Sequence, residues 1–143
     1  MEKLIVSACL LGTPCRYDNR SKPNKEVIAL ASRYELIPVC PEVLGGLPTP
    51  RIPAEICKNR VIRADGVDIT KEYEKGAKIA LEIAKKNDCK IAILKEKSPS
   101  CGYGFIYDGT HTKTLTKGNG ITAKLFEENG IIIINERELN KLK

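Results

Sequence analysis

Four short, mostly apolar runs decide what this chain can fold into: residues 4–8, 36–39, 89–94 and 131–134. Continuous apolar runs of this length are the signature of parallel strands buried on both faces, whereas a half-exposed strand would alternate apolar and polar residues. Between the runs the period changes. Residues 25–34 carry Val27, Leu30, Ala31 and Tyr34 at helical spacing, with Asn24 as N-cap. Residues 70–87 carry a stripe of Tyr73, Ala77, Ala80, Leu81 and Ala84, with Thr70 as the cap and Lys85 and Lys86 suited to the helix C-terminus. Residues 120–129 read as a helix closed by Gly130, and 136–142 as a short closing helix. Asn59 and Asp65-Gly66 mark a small hairpin within 56–67, and Asp108-Gly109 a second within 105–115. Strands separated by helices give the α/β class: a mostly parallel four-stranded sheet covered on both faces, with two small hairpins. At 143 residues the chain suits one domain, 1–143. Pro38 places the second strand at a sheet edge or its residue at a strand end. Residues 41–55 hold four prolines and Gly45-Gly46, which argues against a regular helix or a central strand there.

That sheet has a chemical consequence. Parallel strands bring their carboxyl ends to one edge, where ligands bind. Cys9 follows the first strand, Cys40 the second, and Cys101 lies in the loop after the third. Three thiols from distant parts of the chain therefore meet at one place. Cys89 starts a strand and belongs at the opposite edge. Cys57, near the first hairpin, reads like Cys89 as a small buried hydrophobe. The pattern does not fix the position of Cys15. No secretory leader or membrane-length apolar stretch is visible, so a cytoplasmic location is expected, where cysteines serve as metal ligands, reactive thiols or core residues rather than disulfides. Soft sulfur ligands select zinc, copper(I) or iron–sulfur clusters. Structural zinc wants four ligands, which Cys15 or Cys57 could complete. A 4Fe-4S cluster on three cysteines leaves one iron open. Spacing alone leaves these choices standing.

Polar groups share the same edge. In the stretch Leu94-Lys95-Glu96-Lys97-Ser98-Pro99-Ser100-Cys101-Gly102, Pro99 holds Ser98 extended and Gly102 permits a turn that a β-carbon would hinder. Ser98 and Ser100 thus stand beside Cys101. Glu42 lies just past Cys40 and is a candidate proton shuttle. Arg51 and Glu55, in the same loop, could pair with each other. The net charge of +6 favours anionic partners, but lysine is spread along the chain as on a solvated surface. A sensor or RNA-binding module is the competing reading. No aromatic RNA platform or helix-turn-helix pattern supports it, so nucleic acid is not favoured as a partner.

Ser7-Ala8-Cys9-Leu10-Leu11-Gly12, Arg16-Tyr17-Asp18, Cys40-Pro41-Glu42 with Gly45-Gly46-Leu47 and Pro50-Arg51, and Lys97-Ser98-Pro99-Ser100-Cys101-Gly102, in that order, resemble the thiouracil desulfidase family. The resemblance implies a single Rossmann-like domain in which Cys9, Cys40 and Cys101 hold a 4Fe-4S cluster. It implies a non-redox reaction that replaces the thiocarbonyl sulfur of a thiolated uracil base or nucleotide by oxygen from water. Glu42 and Ser98 match the family's acid–base positions, and Ser100 and Arg51 are candidates for substrate contact. Cys15 is not required as a ligand by that pattern.

Overall fold

The computed structural model describes residues 1–142. Four parallel strands, β1 (Lys3–Ser7), β2 (Glu35–Val39), β5 (Ile91–Leu94) and β8 (Ile132–Asn135), form one sheet in the order β2-β1-β5-β8. Two antiparallel hairpins stand apart from it, β3 (Ala54–Cys57) with β4 (Arg60–Arg63), and β6 (Phe105–Tyr107) with β7 (Leu115–Lys117). This is the α/β architecture expected from the apolar runs. Register is fixed by burial on both faces: Leu4, Ile5 and Val6 of β1 sit opposite Ile91, Ala92 and Ile93 of β5, and a one-residue slip would exchange the two faces. β2 is an edge strand, which explains how it tolerates Pro38.

Each face of the sheet has its own core. Ile5, Val39, Ala92, Leu94 and Ile133 pack with Ala80, Leu81 and Ala84 of α3 (Thr70–Lys86) and Phe126 of α4 (Ile121–Glu128). On the other face Leu4, Val6 and Ile93 meet Val27 of α1 (Lys25–Ala29), Leu30 and Tyr34. Asn24 caps α1 as expected, its side-chain oxygen accepting from the Val27 amide at 3.0 Å. That helix is shorter than its apolar spacing predicts, because it tightens into a 3-10 turn at Leu30–Ser32.

Four expectations need correction. Thr70 does not cap α3. It is the helix's first residue, its hydroxyl accepts from the Val61 amide of the first hairpin, and Asp68 takes the Thr70 amide. The Pro-rich stretch does contain a helix, α2 (Pro41–Leu44), because Pro41 sits at its first turn, where a missing N–H costs nothing. The second hairpin has its loop over residues 108–114, longer than a turn at Asp108-Gly109 implies. The closing segment is only a 3-10 turn, Leu139–Lys141.

Helix α2 is short, and its position comes from α3. A β-carbon on Gly45 would overlap the Glu72 carbonyl, and one on Gly76 would overlap the Pro41 carbonyl. The two backbones therefore touch directly, as only glycines allow. Gly76→Ala is expected to destabilise the protein by about 3 kcal/mol, as overpacking against a backbone atom does, with a melting temperature lower by roughly 10 °C. An unchanged melting temperature would mean that α2 can slide away from α3.

Candidate active site at the carboxyl edge of the sheet

Each strand of the main sheet ends on a residue of chemical interest. After β1 the chain turns at once into a 3-10 turn, Ala8–Leu11, which carries Cys9. After β2 comes Cys40, at the N-cap position of α2. β5 leads into Lys95 and the Ser98–Cys101 loop, and β8 into Glu136. The strand order reverses between β1 and β5, so the site lies at the topological switch point. There Cys9, Cys40, Cys101, Glu42, Arg51 and Ser98 all line one cavity of about 1050 Å³. Cys15 lines it as well.

The loop that delivers Cys101 is locked at both ends. The first amides of α4, at Ile121, Thr122 and Ala123, have no partner within their own helix. They donate to the carbonyls of Pro99 and Ser100 at 2.9–3.2 Å. Gly102 donates to the Ser98 carbonyl at 2.8 Å, an approach that a β-carbon on Gly102 would block. Ser98 Oγ accepts from the amides of Ser100 and Cys101 at 3.0 and 3.1 Å. Its own hydrogen is left over, so Ser98 can shape the turn and still donate into the cavity. Ser98→Ala strips two amides of their acceptor and is expected to cost about 1–2 kcal/mol, read as a lower denaturation midpoint that Ser98→Thr restores. An alanine variant as stable as the parent yet slow in turnover would give Ser98 a proton-moving role and no structural one.

Ser100 is not at the cavity. It is fully buried, with its hydroxyl against Thr122 Oγ1 of α4 at 2.8 Å. Arg51 is at the cavity, but it is tied up. Its guanidinium donates to the Pro48 carbonyl and Thr49 hydroxyl at 3.2 Å and meets Glu42 Oε2 at 3.4 Å. The Arg51 and Glu42 side chains are only 7% and 14% exposed. Arg51 therefore pairs with Glu42, not with Glu55 as the sequence suggested. Glu55 instead receives the amides of Gly109 and His111, fastening the second hairpin to the first.

Burial and a nearby carboxylate disfavour the thiolate at Cys9, Cys40 and Cys101. Burial raises Cys9 to about 11, and the neighbouring Glu42 carboxylate adds to that rise. Burial, then Glu42, also pushes Cys101 well up, against a hydrogen bond with Ser7 that favours its thiolate. Cys40 is raised by its hydrogen bond with the Cys15 thiol, then by burial and by Glu42. One carboxylate thus acts on all three sulfurs, which places Glu42 among them. The folded chain brings to one cavity three soft donors, Cys9 and Cys101 buried and Cys40 half-buried, whose ionisation a bound cationic group would favour, and binding such a group would release their protons. Among the described residues no three His, Cys, Asp or Glu side chains close on a point as the ligands of a single ion must.

Sequence reasoning missed two members of the site. Lys95 Nζ pairs with Glu136 Oε2 at 2.9 Å, and the Lys95 amide donates to Ser7 Oγ at 2.9 Å. The Lys95 charge opposes the rise of Cys9. Both residues directly follow strands, the signal that singled out the cysteines, and it could have found them. Tyr73 of α3 also faces the cavity, although its place in the helical stripe reads as core.

A family model described as 2-thiouracil desulfurase matches residues 4–138. The uncharacterized protein YbbK of Bacillus subtilis (strain 168) is 39% identical over 149 residues, covering 97% of this chain and 99% of that protein. A solved structure described as the 4Fe-4S-dependent thiouracil desulfidase TudS matches with a TM-score of 0.94 at 44% identity, covering 99% of this chain and 95% of the other. No helix among the described residues is long and apolar enough to cross a membrane.

Proposed function

The chain belongs to the 2-thiouracil desulfurase family, and on that premise we propose that it removes sulfur from a thiolated uracil compound by hydrolysis. The carbon–sulfur double bond is replaced by a carbon–oxygen double bond, water supplies the oxygen, and sulfur leaves as hydrogen sulfide. No electrons are gained or lost. The observation that carries this reading is that one carboxylate, Glu42, lines the same cavity as three thiols that follow three separate strands.

A 4Fe-4S cluster held by Cys9, Cys40 and Cys101 would supply an iron without a protein ligand, a Lewis acid suited to a thiocarbonyl sulfur. The chain's own residues do the rest. Glu42 takes a proton from the attacking water and returns it to the departing sulfur or a ring nitrogen. Arg51 holds the Glu42 carboxylate in place, so it is a positioning residue rather than a substrate contact. Ser98 keeps its spare hydroxyl hydrogen directed from the same loop that carries Cys101. The cavity, at about 1050 Å³, has room well beyond a free base. Arg16, Lys22 and Lys113 along it suit an anionic substituent, so a thio-nucleotide is as acceptable as a base.

The test is an anaerobic assay of sulfide release by the iron-loaded protein from a panel of 2- and 4-thiouracil, their nucleosides and their nucleotides. Release from at least one supports the proposal. Release from none would leave a non-catalytic iron–sulfur protein as the better description.

A further inference from the structure

Cys15 is a cavity-lining sulfur that the proposed function leaves without a role. It is buried and free, and it belongs to the loop of residues 12–24 that precedes α1. Its backbone carbonyl lies 3.7 Å from Cys40 Sγ, which donates to it across 25 residues of sequence. Each thiol also shifts the ionisation of the other, that of Cys40 upward and that of Cys15 downward. The other sulfurs at the site are arranged differently. Cys101 is engaged with Ser7, and Cys9 reaches Cys40 only through charge. The two cysteines joined by a direct hydrogen bond are therefore Cys15 and Cys40. A disulfide needs its two α-carbons within about 7 Å, a separation that a hydrogen bond from one thiol to the other residue's own carbonyl readily accommodates. The contact lies on the wall of a cavity that a small oxidant can enter.

We propose that Cys15 and Cys40 form a peroxide-sensitive thiol pair that closes to a reversible disulfide when the chain is without its iron, sparing Cys40 from irreversible oxidation. The step balances. One thiol sulfur of the pair attacks hydrogen peroxide, the O–O bond breaks, water leaves, and a sulfenic acid forms. The second sulfur attacks the first, the S–O bond breaks, and a second water leaves. Two thiols and one peroxide become one disulfide and two waters; sulfur is oxidised and peroxide reduced. A dithiol reductant, itself oxidised to its disulfide, restores both thiols by exchange. Without Cys15, a sulfenic acid on Cys40 would have no adjoining thiol to resolve it and would go on to the sulfinic and sulfonic acids, which a dithiol does not reverse.

The test uses the full-length chain, iron-free and fully reduced, treated with one equivalent of hydrogen peroxide. Intact mass and non-reducing peptide mapping then locate the product. The expected result is the loss of two hydrogens and a cross-linked peptide joining Cys15 to Cys40. Dithiol treatment should return iron loading to the level of the untreated chain. In Cys15→Ser, and in Cys15→Ala as a second variant with no hydroxyl, the cross-link should be absent. Cys40 should then carry sulfenic acid, which two further equivalents of peroxide take through sulfinic to sulfonic acid, and subsequent iron loading should fall several-fold. A cross-link from Cys40 to Cys9 or Cys101 in the unsubstituted chain would overturn the proposal. So would a Cys15 variant that reloads as fully as the parent. The readouts are mass and iron content, so they stand or fall apart from any result with thiolated uracils.

Discussion

Replacing Cys101 by alanine is expected to take sulfide release from a thiolated uracil below detection and to leave the purified chain without bound iron or acid-labile sulfide. The fold should survive. The loop is held by amides of Ile121, Thr122 and Ala123 that donate to it and by the Ser98 hydroxyl, which accepts from the amide of residue 101; alanine leaves all of these in place, and the missing sulfur is small. What disappears is one of three soft donors. Cys57 and Cys89 do not line the cavity, and Cys15 stands against Cys40 rather than Cys101, so none takes the place of Cys101 and a cluster with two ligands would be lost. Cys9→Ala and Cys40→Ala should behave alike. The measurements are iron and sulfide per chain, turnover, and circular dichroism to show that the fold is intact. A Cys101→Ala protein with full iron and normal turnover would make Cys101 an ordinary core residue.

Glu42→Gln separates chemistry from assembly. Glutamine keeps the size of the side chain and a hydrogen-bonding oxygen for Arg51, so the buried guanidinium retains a partner. What is lost is the ability to accept a proton. Iron content should match the parent, while turnover falls by about 10²–10⁴, the usual worth of a general acid–base group. Normal turnover in the glutamine variant would remove Glu42 from the reaction and leave it as a partner for Arg51.

The sequence carried much of this site for a definite reason. The central strands β1 and β5 are buried on both faces and β2 pairs with β1 in parallel, so Cys9 and Cys40, each just past a strand, arrive at one edge. Cys101 arrived there too because its loop starts at the end of β5. The corrections come from long-range contacts, which no local pattern encodes. Thr70 has the chemistry of a cap, but the Val61 amide of a separate hairpin claims its hydroxyl. Arg51 and Glu55 are near in sequence, yet Arg51 turns back to Glu42 while Glu55 holds the amides of Gly109 and His111. Ser100 is two residues from Ser98 but points the other way, into α4. Pro41 looked like a helix breaker because its place at a first turn could not be told from its neighbours.

The contact between Gly45 and Gly76 has a bearing on how such a chain can be altered. Cys40 and Glu42 stand on a helix seated backbone against backbone at Gly45 and Gly76, where there is no side chain to be exchanged for a slightly larger or smaller one. That seat admits no gradual adjustment: it is kept or it is broken. The cavity is also lined by Arg16, Tyr17, Tyr107, His111 and Lys113, on loops and a hairpin where side chains can change one at a time. A redesign for a bulkier or differently charged thiolated compound should therefore begin at those residues. Substitutions on α2 aimed at the same end would displace the carboxylate before they reshaped the room around it.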